Sequence, residues 1–142
     1  MQLSKKSEYA VRAISILASH GTENSMQAQE LATVGDIPQK FLEQILLILK
    51  RGGLVVSKRG VGGGYRIAKE ARFITVAEVI LNIEGEMSPL PDANHHGEFP
   101  GSSGIVHCFT TAMEAYQATL EKTTIEDILN HESGDNMVGF GI

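Results

Sequence analysis

Apolar residues recur at helical spacing from Ser4 to Ser19, where Tyr9, Ala10, Ala13, Ile14, Leu17 and Ala18 fall on one face. The spacing predicts a first helix that ends before His20-Gly21. Met26 to Val34 predicts a short second helix with Leu31 and Ala32 inward, followed by a Gly35-Asp36-Ile37 turn. Pro38 opens a third helix, where its missing N–H costs nothing. Phe41, Leu42, Ile45, Leu46, Ile48 and Leu49 give this helix a broad apolar face, and Lys50-Arg51 then Gly52-Gly53 close it. The period then changes. Leu54-Val55-Val56 and Tyr65-Arg66-Ile67 are short β-prone runs joined by a glycine-rich stretch, which predicts a hairpin.

In the second half, Thr75-Val76-Ala77-Glu78 is a capping box that starts a fourth helix running to about Glu84. Residues 85–104 hold three of the four prolines and few apolar positions, and predict a loop or linker. A fifth helix is expected from Ile105 to Lys122, with Phe109, Met113, Tyr116 and Leu120 in a stripe. That stripe has no evident partner within so short a chain, and such a stripe commonly pairs with its own copy. Thr123-Thr124-Ile125-Glu126-Asp127 caps a short last helix to about His131. The expected fold is mainly α with a small β wing: a winged helix-turn-helix domain over 1–84, the loop over 85–104, a dimerisation helix and short final helix over 105–131, and a flexible tail over 132–142.

The hairpin carries the first hint of chemistry. Lys58 and Arg59 stand before Gly60, Gly62, Gly63 and Gly64, and Tyr65 follows. A phosphate loop would need Gly-Lys-Ser/Thr opening a helix, and the dinucleotide pattern needs a different glycine spacing. Two helices joined by a short turn and followed by a cationic hairpin instead give the order of a winged DNA-binding unit. Gln39, Lys40, Glu43 and Gln44, on the exposed start of the third helix, are residue types that read base edges. Lys5 and Lys6 at the first helix N-terminus, with Lys58 and Arg66, suit phosphates.

Net charge is −5, which argues against DNA until its distribution is read. Residues 1–72 hold eleven Lys/Arg against six Asp/Glu, whereas residues 73–142 hold Lys122 against eleven acids. A basic half can meet phosphates while an acidic half stays away. No apolar run approaches the ~20 residues of a membrane span, and no apolar segment follows Met1 to Lys6 as a secretory signal requires. The single cysteine, Cys108, excludes an internal disulfide and fits a reducing, cytoplasmic setting. No nucleophile–base pair or paired carboxylates can be named, so no enzyme is expected. His95, His96, His107 and Cys108 are ligand types, but no helical histidine pair or Cys-x-x-Cys frames them, so neither metal nor cofactor is expected.

Together, Lys6-x-x-Tyr9-Ala10-Val11-x-Ala13, Phe41-Leu42-Glu43-Gln44, Gly53-Leu54-Val55, Arg59-Gly60-x-Gly62-Gly63-Gly64-Tyr65, Ile74-Thr75-Val76-Ala77-Glu78-Val79-Ile80 and Thr124-Ile125-Glu126-Asp127 resemble the IscR/NsrR/CymR-type (Rrf) family of bacterial transcription factors. The resemblance covers residues 1 to about 131. It implies a homodimer on a palindromic operator, with Gln39, Lys40, Glu43, Gln44 and Arg59 at bases or grooves and the glycine wing tip in the minor groove. Many members hold an iron–sulfur cluster on three cysteines after the fourth helix. Here Ser88 to His107 contains none, and Cys108 falls past the last ligand position. The expectation is a clusterless member, a repressor of cysteine or sulfur metabolism genes similar to the CymR-type branch over Ile83 to Leu90. The resemblance to that branch implies cysteine synthase as a partner, with Phe140-Gly141-Ile142 similar to a peptide that enters its active site. Two further readings stand beside this one: an interaction regulator working through the C-terminal half and tail, and a metal- or redox-sensing repressor using Cys108 and the nearby histidines.

Overall fold

The computed structural model describes residues 3–86 and 97–133. The chain runs α1 (Lys5–Ser19), α2 (Ala28–Gly35), α3 (Gln39–Arg51), β1 (Val55–Lys58), β2 (Gly64–Ile67), a single 3-10 turn (Ala71–Phe73), α4 (Val76–Glu84), α5 (Ser102–Lys122) and α6 (Ile125–Ser133). The two strands pair antiparallel, with Val55 opposite Ile67 and Lys58 opposite Gly64. This is the mainly helical fold with a small wing that the residue pattern predicts.

Local chemistry sets the boundaries. Ser4 caps α1 by accepting from the Ser7 N–H, and Thr75 caps α4 by accepting from the Glu78 N–H. Asp36 ends α2 in the left-handed region at φ 49°, a conformation a short polar side chain tolerates better than most. The box at α4 is only half formed, because the Glu78 carboxylate takes Lys69 at 2.8 Å. The box at α6 is complete: the Thr124 N–H donates to Asp127 and the Asp127 N–H donates to Thr124 Oγ1.

One core joins all these elements. Ala10, Ala13, Ile14 and Leu17 of α1 meet Leu42, Ile45, Leu46 and Leu49 of α3, with Leu54, Val55 and Ile67 from the wing base and Val79 and Ile80 from α4. Each fully buried Leu or Ile contributes about 1.5–3 kcal/mol. Ile125, at the start of α6, is fully buried in this same core. Backbone bonds stitch it there, from the Val76 N–H to the Thr123 carbonyl and from the Ile125 N–H to the Ile74 carbonyl, at 2.9 and 2.8 Å.

Two details differ from the periodicity reading. α5 starts at Ser102 rather than Ile105 and spans 21 residues, about 31 Å. Its stripe also divides: Leu120 packs on the core of its own chain, while Phe109 is half exposed. The apolar residues at the N-terminal end of α5 therefore remain open, and the C-terminal end is tied down. The 3-10 turn at Ala71–Phe73 had no signature in the pattern.

Candidate DNA interface

Burial of Leu42, Ile45, Leu46 and Leu49 turns the opposite face of α3 outward. Gln39, Lys40, Glu43 and Gln44 are all exposed there. None makes a side-chain hydrogen bond or ion pair with another described residue, and the same holds for Lys58 and Arg59. Several other cations are held by carboxylates. Arg12 is engaged by Glu8, Lys69 by Glu78 and Arg72 by Glu70. The third helix and the wing entry thus both present polar side chains without partners among the described residues.

The wing is pinned to the helix-turn-helix at its base. The Met26 N–H donates to the Tyr65 carbonyl and the Tyr65 N–H donates back to Met26, both at 2.8 Å. The Gln27 side chain adds a bond from Nε2 to the Gly63 carbonyl at 2.8 Å. Gly64 makes this approach possible. It holds φ 133°, and a Cβ there would lie 2.5 Å from the Met26 oxygen. Beyond this anchor Arg59, Gly60, Val61 and Gly62 are exposed, whereas Gly63, expected at the DNA-facing tip, is buried and held by Gln27.

A second network sets the turn that presents α3. Arg12 donates to the Gly35 and Asp36 carbonyls at 2.7 and 3.2 Å and to Glu8 at 2.7 Å. It therefore clamps α1 to the link between α2 and α3. The Tyr9 ring lies 6.1 Å from Phe41, and Lys5 and Arg12 sit over that ring at 5.6 and 5.1 Å. Hydrogen bonds from Lys5 and then Arg12 hold the Glu8 carboxyl below the usual range. Lys5 is thus brought to the end of the molecule where α3 begins, but in company with Glu8 at 3.0 Å. Any phosphate contact by Lys5 competes with that pair. Lys6 is half-buried, and Arg66 donates to the Thr22 carbonyl at 3.0 Å, which anchors it to the loop before α2.

The end of α4 is also tied to the start of α1. Ser4 and Ser7 both donate to the Glu84 carboxylate, Ser7 at 2.7 Å, and these bonds lower the Glu84 pKa. A group with a depressed folded pKa contributes stability above its unfolded value, about 4.3 for glutamate, and loses it as pH falls through the folded value. Glu84→Gln should therefore be less stable than wild type at pH 7, with the gap shrinking toward pH 3. Thermal melts at the two pH values measure this, and an equal gap at both would contradict it.

Sequence reasoning missed Arg12, Met26 and Gln27. Arg12 had a visible signal, since Glu8 lies four residues before it; the other two had none. Cys108 is exposed on α5, as is His107. His95, His96 and the tail residues Phe140, Gly141 and Ile142 lie outside the described residues. Among the described residues no group of three or more His, Cys, Asp or Glu could hold a metal ion, and no helix is long and apolar enough to cross a membrane.

Comparison with known proteins identifies the fold and the family. The pattern of the Rrf2 family, described as an iron-dependent transcriptional regulator, matches residues 3–131. The chain is 31% identical over 144 residues to the HTH-type transcriptional regulator IscR of Photorhabdus laumondii, covering 98% of this chain and 85% of that protein. The structure of T. potens IscR superposes with a TM-score of 0.75 at 26% identity, over 99% of this chain and 94% of that one. CymR, the global cysteine regulator of B. subtilis, superposes with a TM-score of 0.76 at 27% identity, over 92% and 98%. These relatives are regulators rather than enzymes, and this chain belongs to the same family, as a DNA-binding transcriptional regulator of the Rrf2 type.

Proposed function

We propose that the chain is a homodimeric repressor of cysteine or sulfur metabolism genes that works without an iron–sulfur cluster. The observation that carries the DNA part is the set of unpartnered polar side chains on α3 beside a pinned wing. Gln39, Lys40, Glu43 and Gln44 face the major groove in this reading, Arg59 and the glycine tip of the wing meet the minor groove, and Lys5, Lys6 and Lys58 face phosphates. The open apolar end of α5, with Ile105 and Phe109 about half exposed, supports pairing with a second copy.

Family membership raises the question of a cluster, and the donor set does not fit one. The chain has one cysteine, on an exposed helix face, whereas such a cluster takes four protein ligands. The shortage of thiolates, together with the likeness to CymR, supports the cysteine-metabolism branch over an iron–sulfur one. One observation favours a second reading, a redox-responsive repressor: the Cys108 thiol is exposed to oxidants.

Footprinting on the promoter of the chain's own gene tests the proposal. A palindrome should be protected, with half-site centres about one helical turn or a multiple apart. Lys40→Ala with Gln44→Ala should relax base preference, whereas Lys58→Ala should weaken all duplexes alike and lower the salt slope by about one. Uniform loss from both variants would refute the recognition role of α3. Deletion of the gene should raise cysteine-synthesis transcripts; unchanged levels would refute the regulon.

A further inference from the structure

The wing tip is poor in side chains. Of its five residues, Arg59 and Val61 alone carry one, and Val61 is fully exposed between two glycines with positive φ. Isolated exposed valines are ordinary on protein surfaces. This one differs in its setting. The Gly63 N–H bonds the Gly60 carbonyl at 2.9 Å and closes the tip into a narrow turn, and Met26 and Gln27 fix the base of the hairpin. A branched apolar side chain is thus presented at a fixed point, next to a cation without a partner.

We infer that Val61 is a specificity residue that selects A·T over G·C pairs beneath the wing. The inference rests on the DNA-binding reading above. The minor groove is about 6 Å wide, which a turn bearing one cation and one compact side chain can enter. Its floor shows only acceptors at A·T and T·A, whereas G·C adds the guanine 2-amino donor. Valine offers no acceptor to that amine, and its two methyls occupy the space the amine fills. Burying an unpaired N–H against them is unfavourable, so discrimination arises by exclusion. Apolar side chains enter the minor groove in other architectures, where they wedge between base steps, and narrow A·T tracts attract an arginine such as Arg59.

The test begins with selection of duplexes from a random library by the full-length protein, followed by titration of the selected duplex. At the positions under the wing, found by hydroxyl-radical protection, A·T is replaced by G·C, by inosine·C, which lacks the amine, or by diaminopurine·T, which adds it. Wild type should lose about tenfold or more in affinity with either amine-bearing pair and little with inosine·C. Val61→Ala should reduce that penalty, and Val61→Asn, which supplies an acceptor, should abolish or invert it, with unchanged melting temperature in both. An amine penalty that survives intact in both variants belongs to groove width and Arg59, and overturns the assignment. No penalty in wild type overturns it as well. Failure to enrich any duplex would instead strike the DNA-binding reading itself.

Discussion

A Gly64→Ala variant should lose on the order of 2–4 kcal/mol of stability, from strain at positive φ together with the hydrogen bonds it disrupts. The new Cβ would press on the Met26 oxygen at 2.5 Å and its carbonyl carbon at 2.7 Å. Both are backbone atoms, so no side-chain rotation relieves the clash. The reciprocal Met26–Tyr65 bonds would open, and the wing would come away from the start of α2. A melting temperature lower by roughly 10 °C is expected, using about 3–4 °C per kcal/mol for a domain of this size. Operator affinity should fall with it, because the wing would no longer hold a fixed angle to α3. Gly60→Ala is the matched control: its φ is also positive, but nothing lies within 4 Å of the added carbon. It should cost about 1–2 kcal/mol from backbone strain alone. Equal losses in the two variants would show that the approach to Met26 is not what Gly64 provides.

The second large effect is on binding. Arg59→Ala should weaken operator affinity by at least tenfold at moderate salt while leaving the melting temperature unchanged. Arg59 has no partner among the described residues, so its removal leaves no broken contact in the protein. What it removes is the one cation in the loop at the wing tip. If Arg59 sits in a groove, the loss should be greatest on A·T-rich sites, where the minor-groove potential is strongest. Lys58→Ala, one residue earlier, should show the smaller and sequence-independent loss of a phosphate contact. Affinity unchanged in Arg59→Ala would refute the wing as a DNA contact. Fluorescence anisotropy on matched duplexes at two salt concentrations separates these outcomes.

The elements were legible because each repeats its apolar residues at a clear period. Leu42, Ile45, Leu46 and Leu49 name both the helix and its buried face, and so by subtraction the exposed Gln39, Lys40, Glu43 and Gln44. The hairpin was legible because its glycines had few other uses. What stayed hidden were single residues whose role depends on distant backbone. Met26 pairs with Tyr65 through main-chain atoms that every residue possesses, so its side chain gives no sign of it. The reach of Arg12 to the Gly35 and Asp36 carbonyls depends on Asp36 adopting a left-handed conformation where glycine is more usual. The start of α5 was set too late because Gly101 and Gly104 obscure Ser102 and Ser103 as helical positions. The stripe on α5 does not show that Leu120 packs on its own chain, because the core it meets is assembled from helices whose packing no period reveals.

The stitch between Ile74 and Ile125 has a consequence for how the molecule is made. A ribosome delivers α1, the helix-turn-helix, the wing and α4 well before it delivers the residue that completes their core. Until Ile125 emerges, its buried seat stays open and the Val76 amide lacks the Thr123 carbonyl. This is a contact of long sequence separation, the kind that forms late. A nascent chain therefore reaches full stability only after α5 has been synthesised, so the part suited to DNA and the long helix mature together.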